Sequence, residues 1–146
     1  MTTLSFRWNE TVGDSTRKQS RVVTAVLWTL QILSAAMFLF AGALKLTSAP
    51  LMVQEFGVIG LGQWFRYLTG GIEVASAALL LIPALAAYGA AALAVTMVGA
   101  IITHLFVIGG SPAIPIVLLG ATAAIAWLRG IGSTIGRMTT SSRLSS

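Results

Sequence analysis

The chain's hydrophobic pattern opens with an uncharged run from Val22 to Leu44 that is closed by Lys45. At about 1.5 Å per helical residue, this run is long enough to cross a hydrocarbon layer about 30 Å thick. A first crossing is therefore placed over residues 21–46, with Gln31 as its one strongly polar interior residue. Between Thr47 and Gly62 the pattern changes. Thr47-Ser48 followed by Pro50 gives a helix start, Met52 and Phe56 share a face, Gln54 and Glu55 are assigned elsewhere, and Gly57, Gly60 and Gly62 break the helical pattern after Phe56. These features predict a short helix lying at the membrane interface.

Trp64, Arg66 and Tyr67 supply an interfacial anchor at the entry to a second crossing over 63–85. From Val74 to Leu128 no residue carries a formal charge at neutral pH, a stretch too long for one crossing. Pro83 with the alanines around it provides one turn, and Gly109-Gly110-Ser111-Pro112 provides another. The third and fourth crossings are then placed at 86–108 and 113–128. The expected fold is an all-α membrane protein, a four-transmembrane-helix bundle with a short interfacial helix between the first two crossings.

Composition agrees with this reading: 56% of residues are hydrophobic and 9% charged, against roughly a quarter charged in soluble domains. Of the nine basic residues, seven lie toward the ends of the chain: Arg7, Arg17, Lys18, Arg21, Arg129, Arg137 and Arg143. An even number of crossings puts both ends on the same side, and the positive-inside rule makes that side cytoplasmic. Residues 1–19 and 129–146 are polar or rich in Gly, Ser and Thr and are read as disordered cytoplasmic tails, leaving 20–128 as the membrane domain. The first apolar run is about twice as long as a signal-peptide core, so it is read as a retained helix. Basic residues without an interleaved aromatic face point to the lipid bilayer, and no nucleic-acid partner is expected.

Cysteine is absent, which excludes disulfides, thiol exchange and Cys-ligated metal centres. With a single histidine, a bis-histidine haem within one chain is excluded too. No metal site and no cofactor held by the chain alone are expected, and no nucleophile elbow, phosphate loop or HExxH motif identifies a catalytic residue.

Three ionisable residues stand within or at the ends of the crossings, away from the tails: Lys45, Glu73 and His104. The topology places all three at one depth, in the outer half of the bilayer. Charge at that depth costs roughly 2.5–3.5 kcal/mol on insertion scales, so such groups usually face inward and pair. Arg66, Gly70, Glu73 and Ala77 fall on one helical stripe, so Glu73 has three candidate partners: Arg66 on its own helix, or Lys45 or His104 across the bundle. Gly42 and Gly70 sit one turn from Lys45 and Glu73 and leave room for a small pocket or a close helix approach. Each ionisable residue also has a structural reading, as a snorkelling anchor, an ion-pair member or a satisfied bundle histidine. Gly71 with Ala75, Ala90 with Ala94, and Gly120 with Ala124 are small-xxx-small pairs, read as packing within the bundle or as a homo-oligomer contact.

The pieces Phe40-Ala41-Gly42-xx-Lys45-Leu46 with Pro50, Gly70-Gly71-Ile72-Glu73, and Gly99-Ala100-Ile101-Ile102-Thr103-His104 occur in an order and spacing that resembles the DoxX family of small bacterial membrane proteins. The resemblance covers about residues 25–128. It implies a four-helix bundle in the bacterial inner membrane whose Lys, Glu and His positions fall on Lys45, Glu73 and His104. It further implies an accessory or binding protein associated with a redox or membrane-protein complex, presenting an outer-leaflet polar pocket to a partner protein or to a lipid-soluble ligand such as a quinone or a lipid. Two other expectations stand beside it: a proton-coupled transporter using Glu73, and an enzyme on a lipid-soluble substrate using Glu73 and His104 as acid and base.

Overall fold

The computed structural model describes the backbone of residues 3–144 and the side chains of residues 21–130. Among them are five α-helices, a π-helical turn and no strand: α1 (Thr3–Leu46), α2 (Pro50–Ile59), α3 (Gln63–Leu80), α4 (Ala86–Thr103), the π turn (His104–Ile108) and α5 (Ala113–Leu144). Contacts between residues divide the chain inside α1, into residues 1–30 and residues 31–146. The first unit is helical from Thr3 onward. The bundle's core and its polar side chains belong to the second.

Among the described residues, three stretches are long and apolar enough to cross a membrane: Arg21–Leu46, Ala86–Ile108 and Ala113–Gly130. α3, with Gln63, Arg66 and Glu73 among its 18 residues, is less apolar than these three.

Each helix end has a local cause. α1 stops where Ser48 enters the left-handed region at φ 59°, and the Ala49 N–H then donates back to the Leu44 carbonyl at 3.1 Å, closing the last turn. α2 begins with Pro50 in its first turn, where a missing N–H costs nothing, and ends at Gly60 with φ 77°. α3 stops at Leu80, five residues before the bound expected from sequence. Pro83 cannot donate to the Leu79 carbonyl, and the chain closes instead with Leu81 and Ile82 donating to Ala78 and Leu79 at 3.2 and 3.1 Å.

The helix predicted for the third crossing is present over 86–108, but its last five residues wind as a π turn, with the Gly109 N–H donating to the His104 carbonyl at 3.1 Å. Helical backbone also covers residues 3–20 and 129–144, where disordered tails are expected from sequence. Once a helix is nucleated, each added residue gains a hydrogen bond without a new nucleation cost, and that extends α1 and α5 past their apolar parts. Residues 1–2 and 145–146 of those tails lie outside the described residues.

The core is built of small and medium side chains: Ala35, Phe38, Ala77, Leu80, Ala86, Ala90, Leu93 and Ile125 are almost wholly buried. Small residues matter here because backbone approach replaces the hydrophobic effect as the source of packing between helices in lipid. Ala90 takes part in that packing. Gly71, Ala75, Gly120 and Ala124 are not buried, and a Cβ on either glycine would meet nothing within 4 Å, so two of the three small-xxx-small pairs make no close contact in the bundle. The closest approach involves a glycine that the pairing rule passes over. A Cβ on Gly89 of α4 would stand 2.6 Å from the Ser76 carbonyl oxygen and 2.8 Å from the Leu80 nitrogen of α3. Backbone atoms cannot swing aside, so Gly89→Ala is expected to cost about 1–3 kcal/mol. Thermal unfolding in detergent checks this against Gly71→Ala, whose added methyl group has open space around it. Equal melting temperatures for the two variants would contradict the packing argument.

Candidate functional site

The stripe Arg66, Gly70, Glu73, Ala77 is buried throughout, so the rotation of α3 about its axis is the one its sequence pattern predicts. Facing it on α1, Gly42 brings the two helices together. A Cβ there would meet the Gly70 carbonyl oxygen at 3.0 Å, and one on Gly70 would meet Lys45 Cβ at 2.9 Å. Of the two uses open to these glycines, the structure shows the close helix approach. One turn further, that approach sets Lys45 Nζ against both oxygens of Glu73, at 3.0 Å to Oε1 and 2.7 Å to Oε2. The carboxylate side chain is 3% exposed and the lysine 14%. Of the three candidate partners for Glu73, the one it takes is Lys45.

Arg66 turns the other way. It is 2% exposed, and its fork joins three segments: Nε donates to Gln63 Oε1 at 2.7 Å, Nη2 to Ser48 Oγ at 2.9 Å, and Nη1 to the Lys45 backbone carbonyl. That carbonyl lies in the last turn of α1, where a cation is favoured by both hydrogen bonding and the helix dipole. The Tyr67 ring stacks on the guanidinium at 4.2 Å, and its hydroxyl lies 3.0 Å from Ser48 Oγ. Arg66 is thus a cap for α1 and a brace for the α1–α2 connection.

His104 opens the π turn. Its Nδ1 lies 2.9 Å from the Ala100 carbonyl oxygen, and its Nε2 lies 3.9 Å from Glu55 Oε1. The partner across the bundle is therefore Glu55 of α2. The sequence reading assigns Glu55 to a face away from Met52 and Phe56, but at 100° per residue positions 52, 55, 56 and 59 form one stripe, and all four line the same space.

That space is a cavity of about 470 Å³ walled by residues of all five helices. Most of its wall is apolar, including Phe40, Met97 and Leu118, while Lys45, Glu55, Glu73 and His104 supply its ionisable groups. Lys45, Glu73 and His104, expected at one depth, border one cavity; Gly42, Gly70 and Arg66 stand outside its lining. Phe56 and Phe65, with ring centroids 6.0 Å apart, hold α2 to α3 beside it. Among the described residues no group of three His, Cys, Asp or Glu side chains could hold a metal ion.

Residues 29–128, more than half of the chain, match the DoxX-like family. The chain belongs to that family. No curated protein and no solved structure matches it. The matched span of this DoxX-like membrane protein contains the Lys45–Glu73 pair, Arg66, Glu55, His104 and every residue that lines the cavity.

A second polar cluster in the DoxX-like bundle joins α1, α3 and α5. Gln31, wholly buried, donates from Nε2 to the Leu80 carbonyl at 2.7 Å, and its Oε1 accepts from Arg129 Nε at 2.9 Å and from Arg129 Nη2. Sequence reasoning marks Gln31 as polar but leaves Arg129 in the tail. The signal that points to Arg129 is the shortage of partners for a lone glutamine at membrane depth. It is satisfied by the end of α3 that Pro83 creates and by the first cation past the last apolar run.

Proposed function

We propose that this DoxX-like protein crosses the bacterial inner membrane four times, with both termini cytoplasmic, and serves as a binding or accessory protein that holds a lipid-soluble ligand beside α2. The crossing that apolar length alone does not supply is the second, α3. Its 18 residues span about 27 Å, and its two charges are held inside the bundle by Lys45, the α1 carbonyl and Ser48. The observation that carries the binding reading is the cavity itself: a volume of about 470 Å³ with apolar walls and a few converging polar groups is the usual form of a small-molecule site.

The chelation of both Glu73 oxygens by Lys45 supports this reading over the other two. In either of those roles, proton exchange or base catalysis, a substrate proton competes with the ammonium for the carboxylate oxygens.

The test is recovery of the protein from its native host in mild detergent, with extracted small molecules identified by mass spectrometry. The wild type is expected to retain one lipid-soluble species in stoichiometric amount. Ala100→Phe, which fills the cavity from α4, is expected to lose it while remaining folded. Equal retention by both proteins would place the species outside the cavity and remove the proposal.

A further inference from the structure

The cavity's polar atoms are unequal in kind, and that imbalance defines the ligand's head group. Thr69, Thr96 and Thr103 line the cavity, and each donates its hydroxyl hydrogen to a backbone carbonyl of its own helix: Thr69 to Phe65 or Arg66 at 3.0 Å, Thr96 to Ala92 at 3.0 Å, Thr103 to Gly99 at 2.8 Å. Only lone pairs remain for a guest. Lys45, the cavity's one permanent cation, gives two of its three N–H groups to the Glu73 oxygens. A carbonyl oxygen can only accept, so the contact with Ala100 places a hydrogen of His104 on Nδ1, and in the neutral tautomer with that hydrogen Nε2 is an acceptor.

That acceptor faces a second one. Nε2 of His104 and Oε1 of Glu55 are 3.9 Å apart, too long for a direct hydrogen bond and suited to a donor lying between them. Glu55 and His104 also border a second cavity, of about 410 Å³, formed with Leu51, Val58 and the Gly109-Gly110 turn, so the gap is reached from that side too. The ionisable groups facing the space are Lys45 from α1, Glu55 from α2, Glu73 from α3 and His104 from the π turn; α5 contributes none. With Lys45 matched to Glu73, the cavity's other carboxylate, Glu55, meets no lysine or arginine among the described residues.

On the basis of the cavity-binding proposal, we infer that the ligand is an amphiphile with a cationic, hydrogen-bond-donating head of the primary-ammonium type. The head's N–H groups lie between Glu55 and His104, and its apolar tail runs along Phe40, Met97 and Leu118. A head group that only accepts hydrogen bonds, such as a quinone ring, offers the Glu55 carboxylate no donor there. Leaving such a group unpaired in an apolar cavity is costly.

The experiment uses the full chain in phosphatidylcholine nanodiscs, titrated with three probes: dodecylamine, dodecyltrimethylammonium, which has the same tail and charge without an N–H, and a decyl-substituted benzoquinone. Binding is read by native mass spectrometry against Ala100→Phe discs, which report partition into the lipid. Dodecylamine is expected to bind at least about tenfold more tightly than either other probe, and Glu55→Gln to weaken it by about tenfold or more, as loss of a charge-assisted bond requires. Glu55 is partly exposed on a surface helix, so this substitution leaves the fold intact; His104→Phe is the second variant, keeping the ring while removing the acceptor, and weakens dodecylamine as well. Equal binding of dodecylamine and its trimethyl analogue, or amine binding indifferent to Glu55→Gln and His104→Phe, overturns the head-group assignment. Quinone binding that Ala100→Phe abolishes, with no amine binding, overturns it too while leaving the cavity as the site. If no probe responds to Ala100→Phe, the cavity reading fails along with it.

Discussion

Lys45→Met is expected to lower the stability of the bundle by roughly 3–5 kcal/mol, because it leaves the Glu73 carboxylate buried without its cation. Glu73→Gln strands the lysine in the same way, with a smaller loss, since the amide oxygen still accepts from Nζ. The double variant is expected to be more stable than either single one. A neutral methionine beside a neutral glutamine carries no unpaired charge, and replacing a whole buried ion pair is often close to neutral. The measurement is a double-mutant cycle on thermal unfolding in detergent, where a coupling energy of more than about 1 kcal/mol marks a direct interaction. Additive losses would mean that the two side chains do not depend on each other. His104→Ala provides the internal contrast. His104 is not part of the Lys45–Glu73 pair, and its contact with Glu55 is 3.9 Å long, so its removal is expected to cost much less. A loss as large as that of Lys45→Met would instead join all three residues in one structural network.

How far the sequence reaches into this site depends on which kind of signal each residue carries. Lys45 ends an uncharged run, Pro50 starts a helix and the Arg66-to-Ala77 stripe repeats with helical period; such signals are local, and the structure agrees with all three. Glu73 has three candidate partners in the sequence because helical spacing fixes the face of one helix but not which neighbour meets it. The Gly42–Gly70 contact decides in favour of Lys45, and that contact is a property of two helices together. Glu55 departs from its expected face for a simpler reason: its i+3 position relative to Met52 belongs to the same stripe as Phe56, and a polar side chain on that stripe is carried inward with it. Gly71 and Gly120 show the reverse case, in which a spacing common in Ala-rich sequence corresponds to no contact. Arg129 is missed because its partner, Gln31, lies 98 positions away, so the glutamine's need for a donor is legible in the sequence but the helix that supplies it is not. The fold class needs only apolar length, while the site needs relative rotation.

The second large effect is expected at Arg66, and the variant that reveals it is Arg66→Lys, which keeps the charge. Three different acceptors surround the guanidinium: Gln63 Oε1 on α3, Ser48 Oγ in the connection and the Lys45 carbonyl at the end of α1. A planar fork reaches all three at once and stacks on Tyr67 at 4.2 Å; a lysine ammonium is a compact point charge that cannot span them. With the arginine gone, the Lys45 carbonyl loses its donor in a helix end that offers no backbone replacement, and Ser48, at a φ of 59°, loses one of two side-chain bonds and keeps the one to Tyr67. Two part-buried acceptors, the Lys45 carbonyl and Gln63 Oε1, lose their donor at about 1–3 kcal/mol each, which gives an expected loss of roughly 2–6 kcal/mol for Arg66→Lys. The readout that separates bracing from simple electrostatics is hydrogen exchange at Ser48 and Ala49. Faster exchange there, with α4 and α5 unchanged, is what loss of the α1 cap produces. A destabilisation spread evenly over all helices, or full retention of stability by lysine, would show that the charge of Arg66 matters and its fork does not.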